Sequence, residues 1–126
     1  MSSEKLRPED LQAAIDRARF NSDGLLPAVI QEADSKRVLM LGWMNAEAIR
    51  RTFTEGLVTF WSRSRREYWR KGDTSGNRLH VRFAELDCDA DTLLVQVEAV
   101  TAACHTGAHS CFDVDPLYST HAQGRS

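Results

Sequence analysis

Asp87-Cys88-Asp89-Ala90-Asp91 places three carboxylates at every second position, with a thiol between the first two. Carboxylates this close repel one another, so the segment has to face water or hold a cation. Residues 79–84 before it and 93–100 after it have strand character. An extended backbone across the segment would turn Asp87, Asp89 and Asp91 to one face and Cys88 to the other. Hard oxygen ligands suit magnesium or calcium and a soft thiolate suits zinc, so one ribbon could touch two different metals. Plain surface charge is the alternative for the aspartates. An EF-hand does not fit. Counting from Asp87, Thr92 stands where that loop needs glycine, and residues 93–100 favour strand over helix.

The other thiols are Cys104 and Cys111. Three cysteines cannot all pair within one chain. No secretory signal is visible, and no apolar run approaches the roughly 20 residues of a membrane span, so the expected compartment is the reducing cytoplasm. There, clustered cysteines are more often metal ligands or catalytic groups than disulfides. Three thiolates and a water would complete a tetrahedral zinc site of catalytic type. The separation of Cys104 from Cys111 is not the short knuckle of structural zinc modules, and buried apolar thiols are the alternative. His105 and His109 adjoin candidate ligands and could be ligands, outer donors or surface residues. His80 and His121 read as structural or surface positions.

The length of 126 residues suits a single domain spanning 1–126, with residues 1–7 and 119–126 expected to fray. Helical spacing of Leu11, Ala14, Ile15 and Ala18 predicts a helix over 8–20, started by Pro8 and two acids. Residues 25–32 and 38–43 read as strands joined by a hairpin at Asp34-Ser35-Lys36. A helix over 45–53 follows, with Asn45 as its N-cap and Glu55-Gly56 as its stop. Residues 57–61 are strand-like again.

Residues 62–77 are rich in arginine, hydroxyls and glycine, with aromatics between them. Such a stretch could hold phosphate oxygens, with Trp61, Tyr68 or Trp69 stacked on a base. A solvated charged hairpin with its aromatics in the core is the alternative. The formal net charge of −2 argues against a dedicated nucleic-acid binder, although residues 63–71 form a local basic patch and 85–91 an acidic one.

Together the segments resemble one family. Gly24-Leu25-Leu26-Pro27-Ala28-Val29-Ile30-Gln31, Val38-Leu39-Met40-Leu41-Gly42-Trp43-Met44-Asn45, Trp61-Ser62-Arg63-Ser64-Arg65 and Trp69-Arg70-Lys71-Gly72-Asp73-Thr74-Ser75-Gly76 come first. The aspartate segment, Ala103-Cys104-His105-Thr106-Gly107 and Ser110-Cys111-Phe112 follow in order. The chain is similar over most of its length to phosphoribosyl-AMP cyclohydrolase, the ring-opening enzyme of histidine biosynthesis. It departs from that pattern at Asn77 and Leu79.

The resemblance implies a compact, sheet-rich α+β pseudobarrel and an obligate homodimer. It implies zinc held by Cys88 of one chain with Cys104 and Cys111 of the other, and magnesium held by Asp87, Asp89 and Asp91. The implied reaction is hydrolysis of the N1–C6 bond of 1-(5-phosphoribosyl)-AMP by a zinc-activated water, with His105 as the candidate base. Ser62, Arg63, Arg65, Arg70, Lys71, Thr74 and Ser75 are the expected phosphate contacts, and Trp61 or Trp69 the expected stacking partner. The implied partner is thus a small nucleotide, with no nucleic acid, no membrane and no appended pyrophosphohydrolase domain. A non-enzymatic zinc module binding RNA through the basic stretch is the rival reading.

Overall fold

Strand β1, Leu26–Glu32, alternates buried and half-buried along its whole length, with Leu26, Ala28, Ile30 and Glu32 inward. It is central because both of its edges are used. It pairs antiparallel with β2, Val38–Met44, and parallel with β6, Leu93–Val97. Strand β5, Val81–Leu86, closes the far side against β6, giving the order β2-β1-β6-β5. The outer strand β5 carries Arg82 and Glu85, charges that keep a sheet edge from pairing further. The structure is a computed structural model and describes residues 7–73, 75–98, 100, 102–104 and 106–120.

Helix α1, Pro8–Arg17, starts with Pro8 in its first turn and buries Leu11 and Ile15. It ends short of the predicted Phe20. Beyond Ala18 the chain is extended, and the Arg19 N–H donates to the Ala90 carbonyl at 2.7 Å, tying it to the β5–β6 turn. Helix α2, Ala46–Glu55, is capped as predicted. Asn45 Oδ1 accepts from the Ala48 N–H at 2.8 Å, and Gly56 takes the left-handed conformation at φ 77° that ends the helix. Its buried Thr52 hydroxyl bonds both the N–H and the carbonyl of Thr59, docking α2 to the next strand. No helix among the described residues is long and apolar enough to cross a membrane.

Strands β3, Thr59–Ser62, and β4, Glu67–Arg70, form a separate two-stranded antiparallel hairpin. The basic stretch therefore contains a hairpin, with Trp69 exposed and not in the core, and Glu67 and Arg70 at the two ends of β4 mask its strand pattern. Strand limits shift elsewhere too. Leu57 makes only an isolated bridge to His80, β5 begins two residues after the predicted start, and β6 stops at Val97. The predicted extended ribbon across the aspartates is a turn joining β5 to β6, with Ala90 at φ 62°. Over the described residues the molecule is α+β, with two α-helices, a four-stranded mixed sheet and the two-stranded hairpin.

The hairpin is pressed onto β2 at one position. A Cβ on Gly42 would lie 2.4 Å from two ring carbons of the fully buried Phe60. Gly42→Ala must displace that ring, and overpacking of this kind costs about 1–3 kcal/mol. Urea unfolding should show the loss as a lower midpoint with an unchanged slope; a midpoint equal to the parent's would mean that the contact is slack.

Candidate metal centre and aromatic cleft

Asp87 shapes the turn that carries the carboxylates. Its Oδ1 accepts from the backbone N–H of Asp91 at 3.0 Å and of Thr92 at 3.2 Å. Its own N–H donates to the Thr92 carbonyl at 3.0 Å. The result is that one ligand oxygen each from Asp87, Asp89 and Asp91 lies within 4.8 Å of the others, all three residues being exposed. The sequence reading brought these three together by alternation along a strand. They do converge, but through a side-chain-templated turn.

The three carboxyls are not equivalent. Partial desolvation pushes Asp87 upward, but the Asp91 and Thr92 N–H groups and its hydrogen-bonded neighbours outweigh this and hold it below the usual range. Asp89 is raised, first by its hydrogen bond with Asp91 and then by the charges of Asp87 and Asp91.

Cys104 and Cys111 lie on a loop that folds back on itself. The Ala103 N–H donates to the His109 carbonyl at 3.1 Å and the Cys104 N–H to Ala108 at 3.2 Å, with Gly107 at φ 94° allowing the reversal. The Thr106 hydroxyl donates to Cys104 Sγ at 3.1 Å. That hydroxyl is the main reason the Cys104 thiol is held below its ordinary value. The Cys111 thiol is pushed up, by partial desolvation and by its neighbour Cys104. Each thiol thus shifts the other's ionisation. Cys88 is in the aspartate turn and exposed. Among the described residues, only the three aspartates form a group of three or more His, Cys, Asp or Glu able to converge on one ion, so Cys88 does not join the thiol pair within one chain. The candidate base His105 lies outside the described residues.

Sequence reading missed what holds the thiol loop. Glu32, the last inward residue of β1, is buried, with its Oε2 accepting from the Val100 N–H at 3.0 Å and 3.4 Å from His109 Nε2. Its other oxygen accepts from the Ser35 hydroxyl, the chief cause of its lowered pKa, against the burial that would raise it. Further along, the buried Ser110 hydroxyl donates to the Val38 carbonyl at 2.6 Å, and Arg37 pairs with Asp113. The signal was present but weak: a carboxylate falling on the buried phase of an alternating strand.

Residues 41–43 of β2, 60–64 of the hairpin and Trp69 line an open cleft of about 540 Å³. Ser62, Arg63 and Trp69 of the predicted contacts are in its walls, with Trp61. Arg63 lies over the Trp43 ring at 4.6 Å, and Trp69 packs against Phe60 at 5.4 Å. Trp43 and Phe60 went unrecognised as site residues because they sit in runs that read as plain strands. The other expected contacts fall elsewhere. Arg65 is exposed, 3.5 Å from Glu67, and Ser75 Oγ accepts from the Asn77 N–H. Arg70 is committed to Asp73 at 2.9 Å and Glu55 at 3.0 Å. Lys71 is buried, and Thr74 lies outside the described residues. Leu79 is fully buried in the core.

A turn of converging carboxylates, a loop carrying two thiols and an aromatic cleft on one small α+β frame make a protein with two candidate metal-ligand sets. The family model for phosphoribosyl-AMP cyclohydrolase matches residues 40–113, more than half of the chain and the part that holds both candidate ligand sets. The phosphoribosyl-AMP cyclohydrolase of Clavibacter michiganensis subsp. michiganensis is 63% identical over 109 residues, covering 86% of this chain and 83% of that protein. Its counterpart in Leifsonia xyli subsp. xyli is 64% identical over 107 residues, covering 85% and 86%. That of Streptomyces avermitilis is 59% identical over 112 residues, covering 88% and 84%. The chain belongs to the phosphoribosyl-AMP cyclohydrolase family, a family of enzymes.

The raised pKa of Asp89 has a testable sign. A carboxyl raised in the fold favours the folded state below its unfolded value of about 3.8, and that contribution is lost as pH rises through the higher folded value. At neutral pH, Asp89 therefore works against the metal-free fold. Asp89→Asn should raise the metal-free Tm at pH 7 and weaken divalent-cation binding at least about tenfold, the loss caused by removing even an outer partner of a ligand. Calorimetry with and without magnesium reads both; a lower metal-free Tm would contradict the electrostatics.

Proposed function

We propose that the chain hydrolyses the N1–C6 bond of 1-(5-phosphoribosyl)-AMP, opening the six-membered purine ring to give the imidazole carboxamide ribotide of histidine biosynthesis. The observation that carries this reading is family membership over the region that holds the aspartates and all three cysteines. Water adds its oxygen to C6, the C6–N1 bond breaks, and N1 takes a proton. N1 alkylation leaves C6 electron-poor, which makes it the electrophile.

The donor sets suit two different ions. Three sulfurs suit zinc, and the Thr106 hydroxyl already favours the ligand form of Cys104. Three oxygens suit magnesium, and a divalent cation would replace the Asp89–Asp91 hydrogen bond and offset the neighbouring charges that together raise Asp89. We assign zinc to Cys88, Cys104 and Cys111, and magnesium to Asp87, Asp89 and Asp91. Bound zinc would supply a Lewis acid that brings the pKa of the attacking water toward about 7.

The chain's own groups do the rest. His105, next to Cys104, takes the proton from the attacking water. Arg63 and Ser62 hold a phosphate in the cleft, and Trp69 or Trp61 stacks on the purine. Cys88 stands apart from Cys104 and Cys111 within one chain, which supports a homodimer completing the site with Cys88 of one chain and Cys104 and Cys111 of the other. In that assembly the strands would close as a pseudobarrel, and the compartment would be the cytoplasm.

The test is an ultraviolet assay of ring opening. Wild-type protein should turn over the nucleotide, and Cys104→Ser should lose both turnover and zinc. Mixed Cys88→Ala and Cys104→Ala chains, each inactive alone, should recover roughly a quarter to a half of the activity in heterodimers, since one intact site can assemble. Salt-dependent RNA binding without ring opening would replace this reading with an RNA-binding zinc module.

A further inference from the structure

Arg63 is an exposed arginine in the wall of the cleft, and among the described residues it pairs with no carboxylate. Its surroundings differ from those of the arginines near it in sequence. Arg65, Arg70 and Arg78 each face a carboxylate, at 3.5, 2.9 and 3.3 Å. Arg51 also lies over a ring, that of Tyr68 at 4.0 Å, but Glu47 meets its charge at 3.1 Å. Arg63 has the ring alone: its guanidinium is 4.6 Å from the centroid of Trp43, and both residues line the cleft.

Both partners in this contact depart from fixed backbone. Trp43 is half-buried on β2 and paired with Pro27 of β1. Its neighbours pin it, since Gly42 lies against the Phe60 ring and Met44 is fully buried. Arg63 stands in the turn between β3 and β4, which Ser62 closes. The Ser62 carbonyl accepts from the Arg66 N–H at 2.8 Å, and its Oγ accepts from the Arg65 N–H at 3.2 Å. Between those points runs a long side chain that solvent alone would leave free, and ordering it on a ligand costs entropy. An aromatic ring against one face of the guanidinium sets its plane. It uses none of the N–H donors, which lie in that plane. Their fork matches two oxygens of one phosphate. A carboxylate in the same place would hold the arginine too, but it would occupy the fork and cancel the charge.

We propose that Trp43 is a positioning residue for the substrate phosphate: its indole holds the Arg63 guanidinium in the cleft with the N–H edge free for the anion. This rests on the reading of the cleft as a phosphate site made above, and adds to it a residue that itself touches no phosphate. Trp43 then acts on affinity and not on the bond-breaking step. Its contribution reaches the ligand only through Arg63, so it disappears when the guanidinium is removed.

The experiment is a double-mutant cycle on the metal-loaded protein, with wild type, Trp43→Leu, Arg63→Ala and the double variant. Ring opening gives KM and kcat, and the urea midpoint reads folding. Arg63→Ala should raise KM roughly tenfold to a hundredfold, the size of lost hydrogen bonds to a charged group. Trp43→Leu should raise KM roughly twofold to fivefold, the size of an exposed cation–π contact, with kcat within about twofold of wild type. Added to Arg63→Ala it should change KM by less than about twofold, which a merely structural role would not predict. Trp43→Phe keeps a ring face and should recover KM to within about twofold of wild type. Should the Leu form fail to fold, Trp43→Met carries the same comparison. Losses that multiply in the double variant would overturn the assignment and leave the cleft as the phosphate site. So would a fall in kcat with KM unchanged. Arg63→Ala with an unchanged KM would overturn the phosphate reading of the cleft, and this assignment with it. A wild-type protein without ring opening would overturn the proposed reaction and both readings that depend on it.

Discussion

Strand β1 is hydrogen-bonded along both edges, and the chemistry hangs from its two neighbours and its last side chain. Through β2 it supports one wall of the cleft. Through β6 it holds the far end of the aspartate turn. Through Glu32 it grips the thiol loop at Val100 and near His109. A buried carboxylate is an expensive device for holding a loop, and it is tolerated only when its oxygens are satisfied. Here both are, by Ser35 and by the loop itself. The cost secures the loop that leads into the 3₁₀ turn Cys111–Asp113.

The two ligand loops are built by different means, and each suits the ion proposed for it. The aspartate turn is templated by a side chain: Asp87 spends one oxygen on two backbone N–H groups and still presents carboxylate to its neighbours. It is exposed, and its internal repulsion is ready to be relieved by a hard cation. The thiol loop is held by backbone hydrogen bonds and by anchors on β1 and β2. Its sulfurs are biased in opposite directions, Cys104 toward the thiolate and Cys111 toward the thiol. A soft cation would bring both to the ligand form.

The basic stretch divides its charges among several surroundings. Residues 62–77 read as a phosphate-binding loop, yet β3 and β4 form a regular hairpin whose arginines point to different tasks. Arg70 ties the hairpin to α2 through Glu55. Arg63 stacks on Trp43 in the cleft, and Arg65 stands in solvent beside Glu67. Arg63 and Arg65 stand in the turn between β3 and β4 and Arg70 at the end of β4, so neighbours in sequence meet different partners.

The sequence by itself determined most of the elements, the Asn45 cap with its Gly56 stop, and the identity of the residues that could bind metals. These follow from local rules: alternation, helical spacing, capping chemistry and donor softness. Tertiary structure decided that the aspartates meet in a turn, that Trp43 and Phe60 help form a cleft, and that the buried Glu32 holds the thiol loop. Each of those facts depends on contacts between residues far apart in the chain. Local pattern fixes which face a side chain takes, but only packing fixes what stands opposite it.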